Sequence, residues 1–208
     1  MSIYNSLFNW QKKIVDKYKD RNDFGIWLDM GLGKTPISLA FSEANKCTKI
    51  LVITINSKIE SDKISGSFAN WLLKSDINYN IHLKGDEKFN FSENQNDFYI
   101  VNYEHLYSRK RSTRSVELRD EIKGFINSCK GHNLAIIIDE SHKMKDSQSI
   151  QTKCINKIKK LALLKASSVY SYLLTGTPFT QGYIDLYSQL KFLGYESSKQ
   201  DFKDAFCI

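Results

Sequence analysis

The residue types best suited to chemistry form two short segments, each directly after an apolar run. The first, residues 29–35, reads Asp-Met-Gly-Leu-Gly-Lys-Thr and follows the run 24–28. Glycines let the backbone approach a phosphate closely, and the N–H groups at a helix start attract its negative charge. We therefore expect Lys34 to contact the β- and γ-phosphates of a nucleotide and Thr35 to offer its hydroxyl to Mg²⁺.

The match of this segment to the usual phosphate-loop pattern is imperfect. That pattern has a glycine five positions before the Gly-Lys pair, and Leu28 stands there. Taken alone, the segment could also be a turn that only ends a strand.

The second segment supplies two carboxylates. Leu134–Ile138 is a β-branched apolar run, typical of a strand buried on both faces of a parallel sheet, and Asp139 and Glu140 follow it. Asp139 can reach Mg²⁺ through water, and Glu140 can polarise the water that attacks the γ-phosphate. An acidic pair alone could merely cap the next segment, but the earlier Gly-Lys-Thr loop favours a nucleotide site.

These segments belong to a series that resembles the first RecA-like lobe of a superfamily two helicase, in the Swi/Snf-type branch of double-stranded-DNA translocases. The resemblance covers nearly all of the chain, with the motifs in the family's order. They are the Gln motif at 8–11, the phosphate loop at 29–35, motif Ia at 50–54, motif Ib at 99–104, motif II at 136–142, motif III at 173–179 and the trailing segment 185–190.

The resemblance implies a role for each matching residue. ATP and Mg²⁺ are the expected ligands, and Lys34, Asp139 and Glu140 are the expected catalytic residues. Gln11 is expected to read the adenine edge, although a glutamine here could simply be a polar helix residue. The expected nucleotide-binding set is Gln11, Met30, Gly31, Leu32, Gly33, Lys34 and Thr35, with Thr35 and Asp139 as Mg²⁺ ligands.

Motif III is expected to couple ATP hydrolysis to bound nucleic acid. The coupling residues are His142, Thr175, Gly176 and Thr177. Without the other motifs, the same segment could be an ordinary strand exit with Gly176 and Pro178 as turn formers.

Double-stranded DNA is the expected partner. The formal net charge of +7 and a pI near 9.1 suit a phosphate backbone. The expected DNA contacts are Asn56, Ser57, Lys58, Asn102 and Tyr103. However, the family's proline is missing from residues 54–57, so this loop could equally be a solvated helix cap. For the basic run 109–114, a solvated loop is favoured over a specific DNA contact.

The length suits one lobe, because a RecA-like pair needs roughly twice a domain of common size. We expect a single ATP-binding domain over residues 1–208, ending within a longer protein. A second RecA-like lobe would come from the same full-length chain or from another subunit. Without the arginines of that lobe we expect little ATP hydrolysis. The alternative is a stand-alone RecA-like module that docks a protein partner.

Other site classes find no support in the sequence. Its four cysteines form no Cys-x-x-Cys pair, and no histidine lies at metal-ligand spacing. His82, His105 and His132 are expected at surface or turn positions. No signal peptide or membrane-length apolar run is present, which predicts a protein of the cytoplasm, with the nucleus as an alternative. The family usually has an acidic pair where Leu28-Asp29 stands, and this form resembles bacterial and phage members, which implies a bacterial or phage-infected cell.

Strand-like and helix-like segments alternate along the chain, which predicts a three-layer α/β domain with a mostly parallel sheet between helices. The predicted strands are near 24–28, 49–55, 80–83, 98–102, 134–139 and 168–175, and the predicted helices near 10–19, 35–45, 66–74, 116–128 and 149–160. The polar stretch 84–97 is expected to be less ordered. The ligand is expected at the carboxyl edge of the sheet.

Overall fold

A computed structural model describes residues 2–59, 67–84, 90–109, 116–180 and 182–206. Within these residues, the centre of the fold is a six-stranded sheet in which every pair of neighbours is parallel. Its strands are β1 (Asp23–Trp27), β2 (Cys47–Thr54), β3 (Asn80–Leu83), β4 (Asp97–Asn102), β7 (Asn133–Asp139) and β8 (Ser168–Thr175). They lie in the order β1-β8-β7-β2-β4-β3.

Helices separate most of these strands along the chain, although none lies between β3 and β4 among the described residues. They are α1 (Asn9–Tyr18), α2 (Lys34–Ala44), α3 (Ser67–Leu72), α4 (Asp120–Asn127), α5 (Ile150–Lys165), α6 (Leu186–Phe192) and α7 (Lys199–Phe206). A separate antiparallel pair, β5 (Tyr107–Arg109) and β6 (Val116–Leu118), precedes α4.

The core has two halves because successive strand residues point to opposite faces of the sheet. In β2, Ile50 and Val52 pack with apolar residues of α1, α2 and α3 on one face. Leu51 and Ile53 pack with residues of α4, α5 and α6 on the other face. This arrangement confirms the predicted three-layer α/β fold.

Two predicted helix boundaries were wrong. The helix expected from residue 116 begins at Asp120, because Val116–Leu118 pairs instead with Tyr107–Arg109 as a strand. The helix expected to end near residue 160 continues to Lys165, where the buried Ala162 extends its packing face onto the core.

The described part of the polar stretch before β4 is tied to the sheet by buried polar contacts. Residues 85–89 lie outside the described parts of the chain, but Asp97 is buried and starts β4. The Lys49 Nζ lies 2.5 Å from the Asp97 Oδ2 and donates to the Ser92 carbonyl at 2.7 Å. The His82 Nε2 lies 2.9 Å from the Asp97 Oδ1. Buried charges need such partners, so this network orders the segment.

His132 also has partners that the sequence did not indicate. Its Nδ1 lies 2.6 Å from the Thr48 Oγ1, and its Nε2 lies 2.5 Å from the Glu93 carbonyl oxygen. The bonds of His132 tie the start of β2 to β7 and to the segment that precedes β4.

For another histidine, His105, burial is the main cause of a pKa below its ordinary value, and the charge of Arg119 lowers that pKa further.

The structure also bears on the cysteines, the basic run 109–114 and the search for membrane-spanning helices. Cys47, Cys129 and Cys154 are buried free thiols, while Cys207 lies outside the described residues. Of the basic run, Arg109 is exposed at the end of β5, and residues 110–115 lie outside the described parts. Among described residues, no helix combines the length and apolar character needed to cross a membrane.

Candidate nucleotide site

The sheet order brings the predicted motifs to one edge. β8 lies between β1, which leads into the phosphate loop, and β7, which ends at Asp139. All three strands are parallel, so their carboxyl ends lie together. Thr175, at the end of β8, therefore lies between the phosphate loop and the acidic pair.

The phosphate loop depends on its glycines. Gly31 and Gly33 have φ angles of 82° and 74°, a left-handed region that favours glycine. Gly33 is also the N-cap of α2. A Cβ on Gly33 would overlap the amide nitrogen of Gln11, so the loop can pack this tightly only with glycine there.

Gln11 is buried beside this loop. Its Oε1 accepts a hydrogen bond from the Phe8 N–H at 2.9 Å, and its Nε2 donates to the Leu32 carbonyl at 3.1 Å. These bonds fix the amide against the phosphate loop and orient it toward the cavity that both line.

Lys34 is held by the loop from which it projects. Its Nζ donates to the carbonyl oxygens of Leu28 at 2.8 Å and Asp29 at 3.1 Å. The ammonium therefore has neutral oxygen partners, which the charged oxygens of a phosphate could replace with stronger bonds.

Asp139 and Glu140 both contact the ammonium of Lys58, a residue that was expected to contact DNA. The Asp139 Oδ2 accepts from the Thr54 Oγ1 at 2.8 Å and lies 2.7 Å from the Lys58 Nζ. The same Nζ lies 3.1 Å from the Glu140 Oε1. Partial burial alone would lower the pKa of Lys58, but the charges of Asp139 and Glu140 raise it above its ordinary value.

Glu140 has an unusual backbone conformation. Its φ of 54° and ψ of 48° place a non-glycine residue in the left-handed region. Such residues are strained and are held in place by their surroundings. Here the hydroxyl of Tyr103 donates to the carbonyl of Asp139 at 2.7 Å and lies 3.3 Å from that of Glu140. Burial, then the nearby carboxylates, raise the pKa of Tyr103 well above its ordinary value, so it remains a donor.

These groups surround one cavity of about 510 Å³. It is lined by Ser6, Phe8, Gln11, Met30, Gly31, Gly33, Lys34, Thr35, Pro36, Lys58, Trp71, Asp139 and Glu140. Except for Leu32, whose carbonyl holds Gln11, the predicted nucleotide-binding and catalytic residues all line it. Lys58 and Trp71 were not predicted as cavity residues, because no local motif marks them for the nucleotide, and Lys58 had been assigned to DNA.

The predicted coupling residues contact both halves of the site. The His142 Nδ1 lies 3.1 Å from the Thr175 Oγ1 and 3.4 Å from the Glu140 Oε2. The Thr177 N–H donates to the same Thr175 oxygen at 3.1 Å. A Cβ on Gly176 would lie 3.5 Å from the Leu28 carbonyl oxygen, so motif III also packs against the phosphate loop.

The structure corrects three of the expected DNA contacts. Asn102 and Tyr103 are 4% and 3% exposed, so their side chains cannot reach a nucleic acid. The Lys58 ammonium lies between the carboxylates of the nucleotide cavity. Asn56 and Ser57 are exposed on a helical turn at 56–59, and their contact with DNA stays a prediction.

The residues present also fit the expected Mg²⁺. The Asp139 carboxylate faces the cavity, where it pairs with the Lys58 ammonium, and Thr35 lines the same cavity. Mg²⁺ usually takes one or two protein ligands together with phosphate oxygens and water. Among the described residues, no group of three or more His, Cys, Asp and Glu side chains could hold a metal by itself.

In this parallel sheet, the strand that leads into the phosphate loop and the strand that ends at the acidic pair flank a third strand, β8. This arrangement defines a RecA-like nucleotide-binding lobe. A family model described as the type III restriction enzyme res subunit matches residues 4–179. The chain therefore belongs to this family. It is a helicase-type, ATP-binding RecA-like lobe of superfamily two, whose members hydrolyse ATP.

Two solved structures share the fold. The Sulfolobus solfataricus SWI2/SNF2 ATPase core in complex with dsDNA has 24% identity and a TM-score of 0.63, covering 94% of this chain and 38% of its own. The Pyrococcus furiosus Hef helicase domain has 17% identity and a TM-score of 0.59, and the match covers 93% of this chain and 37% of the Pyrococcus chain. This chain thus spans less than two fifths of each protein. No curated protein sequence matches it significantly.

Proposed function

We propose that this chain is the ATP-binding half of a DNA-dependent ATPase that moves along double-stranded DNA. The observation that carries the proposal is the convergence of Lys34, Asp139 and Glu140 on one cavity. A stand-alone docking module is not favoured, because a protein that only docks a partner has no need of this set. The DNA partner is supported by the net charge of +7 and by the duplex in the Sulfolobus complex.

The geometry supports a division of labour in hydrolysis. Lys34 binds the phosphate chain at the start of α2, and Glu140 orients and polarises the attacking water. Thr35 and Asp139 would hold Mg²⁺, which neutralises phosphate charge when bound. His142 and Thr175 join the acidic pair to motif III, so a change at the γ-phosphate can reach the segment that follows β8.

The finer parts of the proposal follow from the motif resemblance. Residues 1–208 form one domain, and a second RecA-like lobe completes the cleft, from the same full-length chain or another subunit. Asn56 and Ser57 lie on the DNA side. Residues 139–142 form the Asp-Glu-Ser-His box of motif II. The Leu28-Asp29 form of motif I suits a protein from the cytoplasm of a bacterial or phage-infected cell.

Nucleotide binding tests the first half of the proposal. A fluorescent ATP analogue should bind the chain in the presence of Mg²⁺, and Lys34→Ala should weaken that binding by about tenfold or more. Lys123→Ala is the control, since Lys123 pairs with Asp120 on the surface. Equal affinity of wild type and Lys34→Ala would overturn the ATP-binding assignment.

A measurement of ATP turnover tests the second part of the proposal, that hydrolysis needs a second lobe. With duplex DNA, ATP hydrolysis by the isolated chain should equal that of a Glu140→Gln blank, because missing arginines from a partner lobe cost about a thousandfold or more in related chemistry. DNA-stimulated turnover above the blank would contradict the need for a second lobe, unless the rate rose with the square of protein concentration.

A further inference from the structure

Lys58 is a cavity residue to which none of the motifs assigns a nucleotide role. Its side chain is 38% exposed, and it lines the same cavity as Gly33 and Lys34. It follows β2, which pairs with β7 in the sheet. The exit of β2 therefore lies beside the acidic pair, and Lys58 reaches that pair from a segment distant in sequence.

We propose that Lys58 is a second phosphate-binding cation of this site, which pairs with Asp139 and Glu140 in the nucleotide-free lobe and transfers to the γ-phosphate when ATP binds. This inference rests on the proposed ATP-binding function. It makes Lys58 a residue that distinguishes a nucleoside triphosphate from a diphosphate.

Electrostatics favours this transfer. The charges of Lys34 and Lys58 balance those of Asp139 and Glu140 in the nucleotide-free cavity. Lys58 and a metal ion would compete for the Asp139 Oδ2, since both are cations. A terminal phosphate oxygen offers the displaced ammonium an anionic partner of equal quality.

The backbone at Lys58 is anchored while its side chain can move. The Lys58 N–H donates to the Ile55 carbonyl at 3.1 Å, and the next residue, Ile59, is buried. A lysine has a flexible four-carbon stem, so its ammonium can change partners by side-chain rotation alone. Lys34 offers a parallel, because its ammonium is also held by oxygens of the protein that phosphate can replace.

The test compares two nucleotides that differ by the γ-phosphate. The affinities of fluorescent ADP and of a fluorescent non-hydrolysable ATP analogue would be measured with Mg²⁺ for wild type and Lys58→Met. We expect the variant to lose about tenfold or more in ATP-analogue affinity but less than about twofold in ADP affinity. Lys58→Gln gives the same comparison if Lys58→Met does not fold.

A matched control removes a lysine from between two carboxylates outside the cavity. The Lys123 Nζ lies 2.9 Å from Asp120 and 4.0 Å from Glu117 on the surface. Lys123→Met should change neither affinity. If Lys58→Met weakened both nucleotides equally, or weakened neither, the assignment of Lys58 to the γ-phosphate would be overturned.

The same measurements separate this inference from the proposed function. If Lys34→Ala weakened neither nucleotide, the ATP-binding function would fall. If Lys34→Ala weakened both while Lys58→Met showed no preference for losing the ATP analogue, only the role of Lys58 would fall.

Discussion

At the scale of single residues, the site stores strain at its proposed water-activating group. Glu140 has a left-handed backbone, and the Tyr103 hydroxyl holds the adjacent carbonyl groups from inside the core. This conformation costs an L-residue about 1–2 kcal/mol. The contacts of Tyr103 and the surrounding structure offset that cost, and the conformation directs the Glu140 carboxylate into the cavity.

We predict that Glu140→Gly is more stable than Glu140→Ala by about 1 kcal/mol, because glycine adopts the left-handed region without a Cβ penalty. Both variants should bind ATP without hydrolysing it, also when the proposed second lobe is present. Urea unfolding measures the difference. The control is Lys46, which has a φ of 51° and does not line the nucleotide cavity. Lys46→Gly should likewise be more stable than Lys46→Ala. Equal stability of the two Glu140 variants would disprove the strain.

At the scale of elements, a buried ion pair joins β2 to β4 at the end of the sheet opposite the nucleotide cavity. Lys49 and Asp97 are neighbours in the strand register, and both side chains are fully buried. Removing Lys49 leaves the buried Asp97 carboxylate with His82 as its remaining charged contact, whereas removing both members of the pair leaves no buried charge unpaired.

Lys49→Met should therefore reduce the free energy of unfolding by about 3–5 kcal/mol, and adding Asp97→Leu should restore part of it. Chemical denaturation of the single and double variants measures the coupling. Lys123→Met, which removes an exposed pair, should cost less than about 1 kcal/mol. A cost for Lys49→Met no larger than this would show that β2 and β4 do not depend on the pair.

At the scale of the whole molecule, the lobe needs a link between ATP and its proposed DNA partner. We propose that the bond between His142 and Thr175 supplies this link, since His142 also approaches Glu140 and Thr175 accepts from Thr177. A hydroxyl at this point bridges the acidic pair to the loop after β8.

In a protein that contains the proposed second lobe, Thr175→Val should leave ATP affinity near that of wild type but lower DNA-stimulated turnover by about tenfold, the scale of one lost hydrogen bond to a reacting site. The matched control is Thr48→Val, which removes another threonine–histidine bond, to His132, away from the cavity. Unchanged stimulation in Thr175→Val would exclude this hydroxyl from the coupling.

The ordered series of local motifs predicted the phosphate loop, the acidic strand end and the motif III exit, although each segment alone had another interpretation. Each is a contiguous segment in which glycine, apolar and charged residues follow one another in a set order, and parallel strands bring such segments to one edge. The three-layer fold was predictable for the same reason, since apolar runs alternate with helix-like segments.

Only the tertiary structure decided where Lys58, Asn102 and Tyr103 point. Their placement depends on strand order and register, which bring the exit of β2 beside the end of β7 and the exit of β4 beside that of β2. That packing turns two expected DNA contacts into buried supports and places Lys58 between two carboxylates. The sequence alone determined which groups can do the chemistry, because those motifs are local. The structure decided which other side chains meet them, because those contacts join residues far apart in the chain.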